Sequence, residues 1–230
     1  MKSVVVIAAL VLALPGAASA DNGKQLFGRH CASCHGPDAR GTTRGPSLIG
    51  VGALAADFYL RTGYMPLKES GLQPRRSRLL LGPAEIDALV RYVASLGRGP
   101  AVPRPHPERG NVSDGMALFR QHCAGCHQIA AQGGYVTHAV PPALGDATPT
   151  QVAEAVRIGP YVMPKFSTKA ISNRQLDSIV RYVEYARHPD NRGGWALGNI
   201  GPIPEGLVSW FIAGSVLLAT CLAIGKRLRA

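Results

Sequence analysis

Cys31-Ala-Ser-Cys34-His35 and Cys123-Ala-Gly-Cys126-His127 are one five-residue frame written twice, 92 positions apart. Two thiols three residues apart stand on one side of a helical turn, where both can form thioethers to porphyrin vinyl groups. The adjacent histidine can then turn to the iron as its proximal ligand, so each frame reads as a c-type haem attachment site. A thioredoxin-like disulfide would want an α/β setting, and strand signals here are weak. A zinc site would have to join cysteine pairs from two distant frames and would leave both histidines unexplained. The pattern implies two covalently bound haem c groups on Cys31, Cys34, Cys123 and Cys126, with His35 and His127 on the irons.

The sixth ligand separates a carrier from a catalyst. Iron with His and Met ligands is coordinatively saturated at raised potential, whereas an open position admits oxygen or peroxide. Of four methionines, two form the matched pair Met65-Pro66 and Met163-Pro164. They follow His35 and His127 by 30 and 36 residues, enough chain to wrap a haem and return on its other face. Met65 and Met163 are therefore the expected axial ligands. Met116, on the segment leading into the second frame, cannot easily reach that face. Pro46 and Pro142 can offer carbonyls to the ligand histidines, against an ordinary role as turn prolines. Arg61 and Arg157 can reach haem propionates, or be solvated surface residues. His30 and His122 read as structural or surface residues, and Cys221 as small packing in an apolar segment.

These residues must be positioned by two copies of one domain. Gly23-Lys-Gln-Leu-Phe27 stands against Gly115-Met-Ala-Leu-Phe119, and Ile86-Asp-Ala-Leu-Val-Arg-Tyr-Val93 against Leu176-Asp-Ser-Ile-Val-Arg-Tyr-Val183. Gly23 with Phe27 and Gly115 with Phe119 are expected to pack closely on the helices bearing Tyr92 and Tyr182. Both copies read as short helices. Ser113 can cap the helix that runs into Cys123, and Thr148 precedes a first-turn proline, Pro149. Ser172-x-x-Gln175 is a capping box, and Pro83 with Glu85 opens the equivalent helix of the first copy. Domains of this size are marginal on hydrophobic burial alone, so a cofactor should complete each core. The expected fold is all-α: haem-binding domains over residues 21–98 and 113–189, joined by a proline-rich linker, 99–112. That linker should be extended and semi-rigid, restraining the second domain without fusing it to the first.

The ends read as membrane-targeting sequence. Residues 1–20 have Lys2, an eleven-residue apolar run and Ala18-Ser19-Ala20, the marks of a secretory signal with cleavage before Asp21. After a Gly/Pro connector, 190–206, the segment 207–225 opens with the eighteen uncharged residues Leu207–Ile224, and Lys226, Arg227 and Arg229 follow in the tail, 226–230. This is a transmembrane helix with its basic end in the cytoplasm and Trp210 near the other interface. The body would then lie on the extracytoplasmic face of the plasma membrane. The formal charge of +11 becomes +7 once Lys2, Lys226, Arg227 and Arg229 are set aside, and four propionates reduce it further. Nucleic acid is thereby excluded as the meaning of the basic balance. Residues 21–98 carry +5 of it, including Arg75, Arg76 and Arg78, and read as a docking face for an acidic protein.

The chain resembles tandem class I cytochrome c domains. It is more closely similar to the dihaem cytochrome c subunit of the actinobacterial cytochrome bc complex, menaquinol/ubiquinol–cytochrome c reductase. The resemblance rests on the two frames, Gly45-Pro-Ser-Leu-Ile-Gly-Val-Gly52, Met163-Pro-Lys-Phe-Ser167 and Gly193-Gly-Trp-Ala-Leu-Gly-Asn-Ile-Gly-Pro-Ile-Pro-Glu-Gly206 before a single anchor. It implies electron transfer from a Rieske iron–sulfur subunit toward a terminal cytochrome c oxidase, beside a cytochrome b subunit, with no separate turnover site. An anchored dihaem carrier serving another oxidase or dehydrogenase, and a dihaem peroxidase, stay open as alternatives.

Overall fold

The computed structural model describes residues 17–67, 69, 71–189 and 202–229. Most of the expected signal, and residues 190–201 of the expected connector, lie outside them. The described elements are helical: α1 (Ala17–His30), α2 (Ala32–His35), α3 (Gly52–Arg61), α4 (Pro83–Ser95), α5 (Val112–His122), α6 (Ala124–His127), α7 (Pro149–Ile158), α8 (Asn173–Arg187) and α9 (Pro202–Arg229). Among the described residues β-structure is limited to one isolated bridge, Val136 to Ala139.

The chain divides into two units, residues Met1–Val183 and Glu184–Ala230. The first holds repeat one and repeat two as far as Val183. In repeat one, α4 opens on Pro83, with Glu85 accepting from the Gly82 amide at 2.8 Å. It packs against α1 and α3. The core gathers Leu26, Phe27, Ala39, Ala88 and Leu89. Gly23 is required at the α1–α4 crossing: a Cβ there would overlap the Ala88 carbonyl oxygen and lie 2.9 Å from Tyr92 Cβ. Phe27 and Tyr92 then stack at 5.2 Å. Repeat two reproduces the arrangement. A Cβ on Gly115 would overlap the Ser178 carbonyl oxygen, and Phe119 meets Tyr182 at 5.2 Å.

Helix starts follow the side-chain chemistry, with one correction. Thr148 and Gln151 form a reciprocal capping box on α7, and Ser172 with Gln175 forms another on α8. Ser113 does not cap α5. Asn111 does, accepting from the amides of Ser113 and Asp114 at 2.8 and 3.1 Å. Serine and asparagine are comparable caps, and the asparagine two residues earlier wins two amides at once.

The linker is less free than its composition suggested. Pro100 O accepts from the Leu54 amide at 3.1 Å. At its other end, the amides of His106 and Asn111 donate to Asp177 and to Ser178 Oγ. The repeats also touch directly, because α3 packs on α7. The picture of a restrained but separate second domain is therefore revised: the two repeats share a seam.

In the second unit, α9 begins at Pro202, inside the expected connector, where proline suits a first helical turn. Residues Gly206–Arg227 are long and apolar enough to cross a membrane, with a mean hydropathy of 2.2. Trp210, Phe211 and Leu217 are exposed, so this is no core helix of a soluble protein. It is a single-pass membrane anchor.

Candidate haem sites

Each frame is built by a helix that stops and restarts. The Cys31 amide still donates to Phe27 O at 2.9 Å, and the amides of Cys34 and His35 donate back to Cys31 O. The frame is thus carried at the end of α1 and through the single turn of α2. Thr42 Oγ1 donates to Cys34 O at 2.6 Å, and Arg44 donates to Ser33 O. These bonds satisfy carbonyls that a one-turn helix leaves open. Cys123 and α6 repeat the pattern, and Tyr182 Oη fixes the following loop by donating to Ile129 O at 2.6 Å.

The expected ligands meet in two cavities. Cys31, Cys34, His35, Pro46 and Met65 line one, together with Leu60, Leu79, Leu81 and Ile86. Cys123, Cys126, His127, Pro142 and Met163 line the other, with Phe119, Leu144, Val152 and Val156. Both cavities are lined largely by apolar side chains, the surroundings that suit the faces of a porphyrin.

Histidine orientation is fixed from behind. His35 Nδ1 lies 2.8 Å from Pro46 O, and His127 Nδ1 lies 3.0 Å from Pro142 O. A carbonyl only accepts, so Nδ1 must hold the proton and Nε2 keeps its lone pair for a metal. Burial pushes the His127 pKa down, opposed by the bond to Pro142. A neutral imidazole is the form a metal needs. Burial also pushes the Cys31 and Cys123 thiols up to about 11, with the neighbouring Cys34 and Cys126 adding to the effect. Reactive redox cysteines are instead depressed and accessible. A cysteine pair, a tautomer-locked histidine and a methionine around an apolar cavity fit a c-type haem.

The matched arginines have protein partners. Arg61 Nε donates to Asp57 Oδ1 at 2.8 Å and pairs with Asp87. Arg157 donates to the carbonyls of Phe166, Ser167 and Ile171 and to Asn173 Oδ1. Both are placed to brace α3 and α7, whereas the sequence suggested propionate contacts. His30 and His122 are exposed but border the two cavities, and His122 meets Phe166 edge-to-face at 5.6 Å. Met116 is 44% exposed on α5 and lines neither cavity.

The seam was missed in the sequence. Arg76 Nη2 of repeat one donates to Gln151 Oε1 of repeat two at 2.9 Å. Gln73 exchanges two bonds with the backbone of Val140, at 2.7 and 2.9 Å. Arg76, read as part of an acidic-partner face, thus turns to the other repeat. Glu154 is fully buried against Asp57, and burial followed by the Asp57 charge pushes its carboxyl up to about 9. A glutamate inside the apolar run of α7 was the available signal.

Comparison with known proteins agrees with this geometry. Residues 20–97 match the family model described as "Cytochrome c", and residues 110–183 match "Cytochrome C oxidase, cbb3-type, subunit III". A protein of Mycobacterium tuberculosis named "Cytochrome bc1 complex cytochrome c subunit" is 38% identical over 96% of this chain and 85% of its own length. One of Corynebacterium diphtheriae with the same name is 33% identical over 89% and 80%. The Rhodobacter capsulatus "Cbb3-type cytochrome c oxidase subunit CcoP" is 29% identical over 70% and 60%.

Proposed function

The chain belongs to the family of cytochrome bc1 complex cytochrome c subunits, and on that premise we propose that it holds two covalent haem c groups and passes electrons from a Rieske iron–sulfur subunit toward a terminal cytochrome c oxidase. It is an electron-transfer subunit of an oxidoreductase complex. The observation that carries the proposal is that each repeat gathers its cysteine pair, carbonyl-locked histidine and methionine around one apolar cavity. When bound, haem supplies a one-electron iron couple.

The chain's own residues do the rest. Cys31 and Cys34, and Cys123 and Cys126, would hold the group covalently in register with the frame. Pro46 and Pro142 hold the imidazoles so that His35 and His127 present Nε2 in one orientation. Met65 and Met163, on the same cavities, would supply the second protein ligand, which would disfavour small-molecule chemistry at iron. Because α3 rests on α7, the second site stays beside the first without a diffusing carrier.

In this reading α9 holds both repeats outside the cytoplasm, with Lys226 and Arg227 on the cytoplasmic side. The partners are a cytochrome b subunit, a Rieske subunit and an oxidase; the similarity of the second repeat to a cbb3-type oxidase subunit supports the last. Purification through a tag on this chain, in mild detergent, tests the assignment. Cytochrome b and Rieske subunits should come with it; a haem-stained chain recovered without either would refute it.

A further inference from the structure

The second cavity is built by both repeats. Tyr64, Gln73 and Arg76 of repeat one form part of its wall. The first cavity is lined by repeat one alone, among the described residues, and takes its cation, Arg44, from there. Of the described residues lining the second cavity, Arg76 is the one arginine or lysine. It is held there by Gln151, which is 7% exposed and whose Oε1 also accepts from the Thr148 amide while Nε2 donates to Arg61 O. Arg76 has no ion pair among the described residues, in contrast to Arg61, and most of its five N–H donors are not taken by Gln151. Its charge reaches Tyr64, where it opposes the upward push of burial on the phenol.

Haem c retains two carboxylates after thioether formation, and an apolar cavity makes an unpaired carboxylate costly. Arg157, the matched arginine of repeat two, is engaged by four oxygen acceptors. We infer that Arg76, carried by the first repeat, binds a propionate of the haem seated in the second repeat and raises that haem's potential. Neutralising a nearby carboxylate removes charge that would favour the oxidised iron. The first repeat thereby tunes the second, and the potential difference between the sites depends on the seam. This inference rests on haem binding in the second repeat.

The test is a spectroelectrochemical titration of the full-length chain with intact-mass determination of bound haem. Arg76→Gln should weaken reduction of one haem about tenfold, equivalent to about 59 mV, and leave the other unchanged. The haem that moves should be the one displaced by Met163→Ala. Arg76→Lys should restore most of the shift. Arg75→Gln removes one charge beside Arg76 at an exposed residue that lines neither cavity and should leave both potentials in place. Two bound haems with unchanged potentials in Arg76→Gln would overturn the inference, as would an equal shift in Arg75→Gln. A chain carrying no haem on the second repeat would instead remove the reading beneath it, and the intact mass of Cys34→Ala, which leaves only the second frame complete, distinguishes that outcome.

Discussion

The Glu154 carboxylate rests against that of Asp57 across the seam, and neither Glu154 oxygen has a conventional donor. Two carboxylates in this position need a shared proton, and Arg61, on Asp57, only partly offsets them.

The pair makes stability pH-dependent. Glu154 is raised from 4.5 to about 9 in the folded chain, so between those values the folded state binds more protons than the unfolded one. Stability must then fall as pH rises through that window. Glu154→Gln keeps a donor toward Asp57 and removes the titration. Its melting temperature should exceed that of the wild type at pH 8 by about 2–4 °C, for about 1 kcal/mol gained, and the difference should shrink toward pH 5. An equal or larger difference at pH 5 would contradict the shared proton.

Two glycines of α1 should respond in opposite ways. Gly23→Ala forces a Cβ into the Ala88 carbonyl and should cost about 1–3 kcal/mol. Gly28 is exposed with open space around it, so Gly28→Ala should gain about 0.5–1 kcal/mol from helix propensity. Thermal unfolding of the holoprotein reads both.

Methionine ligation predicts a near-infrared iron–methionine band from both haems of the oxidised chain. Met65→Ala and Met163→Ala should each remove about half of it. Met116→Ala should leave it intact, since that side chain lies on the outer surface of α5.

The local half of this account was legible in sequence, because its signals are local. The frames, the Met-Pro pairs, the Thr148 cap, the Ser172 capping box and the Gly23/Tyr92 packing all follow from spacing and side-chain type. Pro46 and Pro142 were candidates because they recur at matched positions, though only the fold brings their carbonyls behind the histidines. The seam was not legible. Which face of α3 meets α7 depends on packing between residues about 90 positions apart, and Arg75-Arg76-Ser-Arg78 looks like any solvated basic run. Arg61 and Arg157 invited a propionate role in part for the same reason: Asp87 and the 166–173 segment, which hold them, are distant in sequence or irregular, although Asp57, one turn before Arg61, was a local signal. Asn111 over Ser113 is a smaller failure, a choice between two good caps two residues apart.

The central claim is that this chain receives electrons from quinol within a bc complex. It is tested most directly by adding menaquinol or ubiquinol to the complex recovered through a tag on this chain and following its c-type haem absorbance. The account predicts two haems per chain, both reduced by quinol, and loss of one in either Cys34→Ala or Cys126→Ala. Haem c that stays oxidised under quinol, while a chemical reductant reduces it, would contradict it.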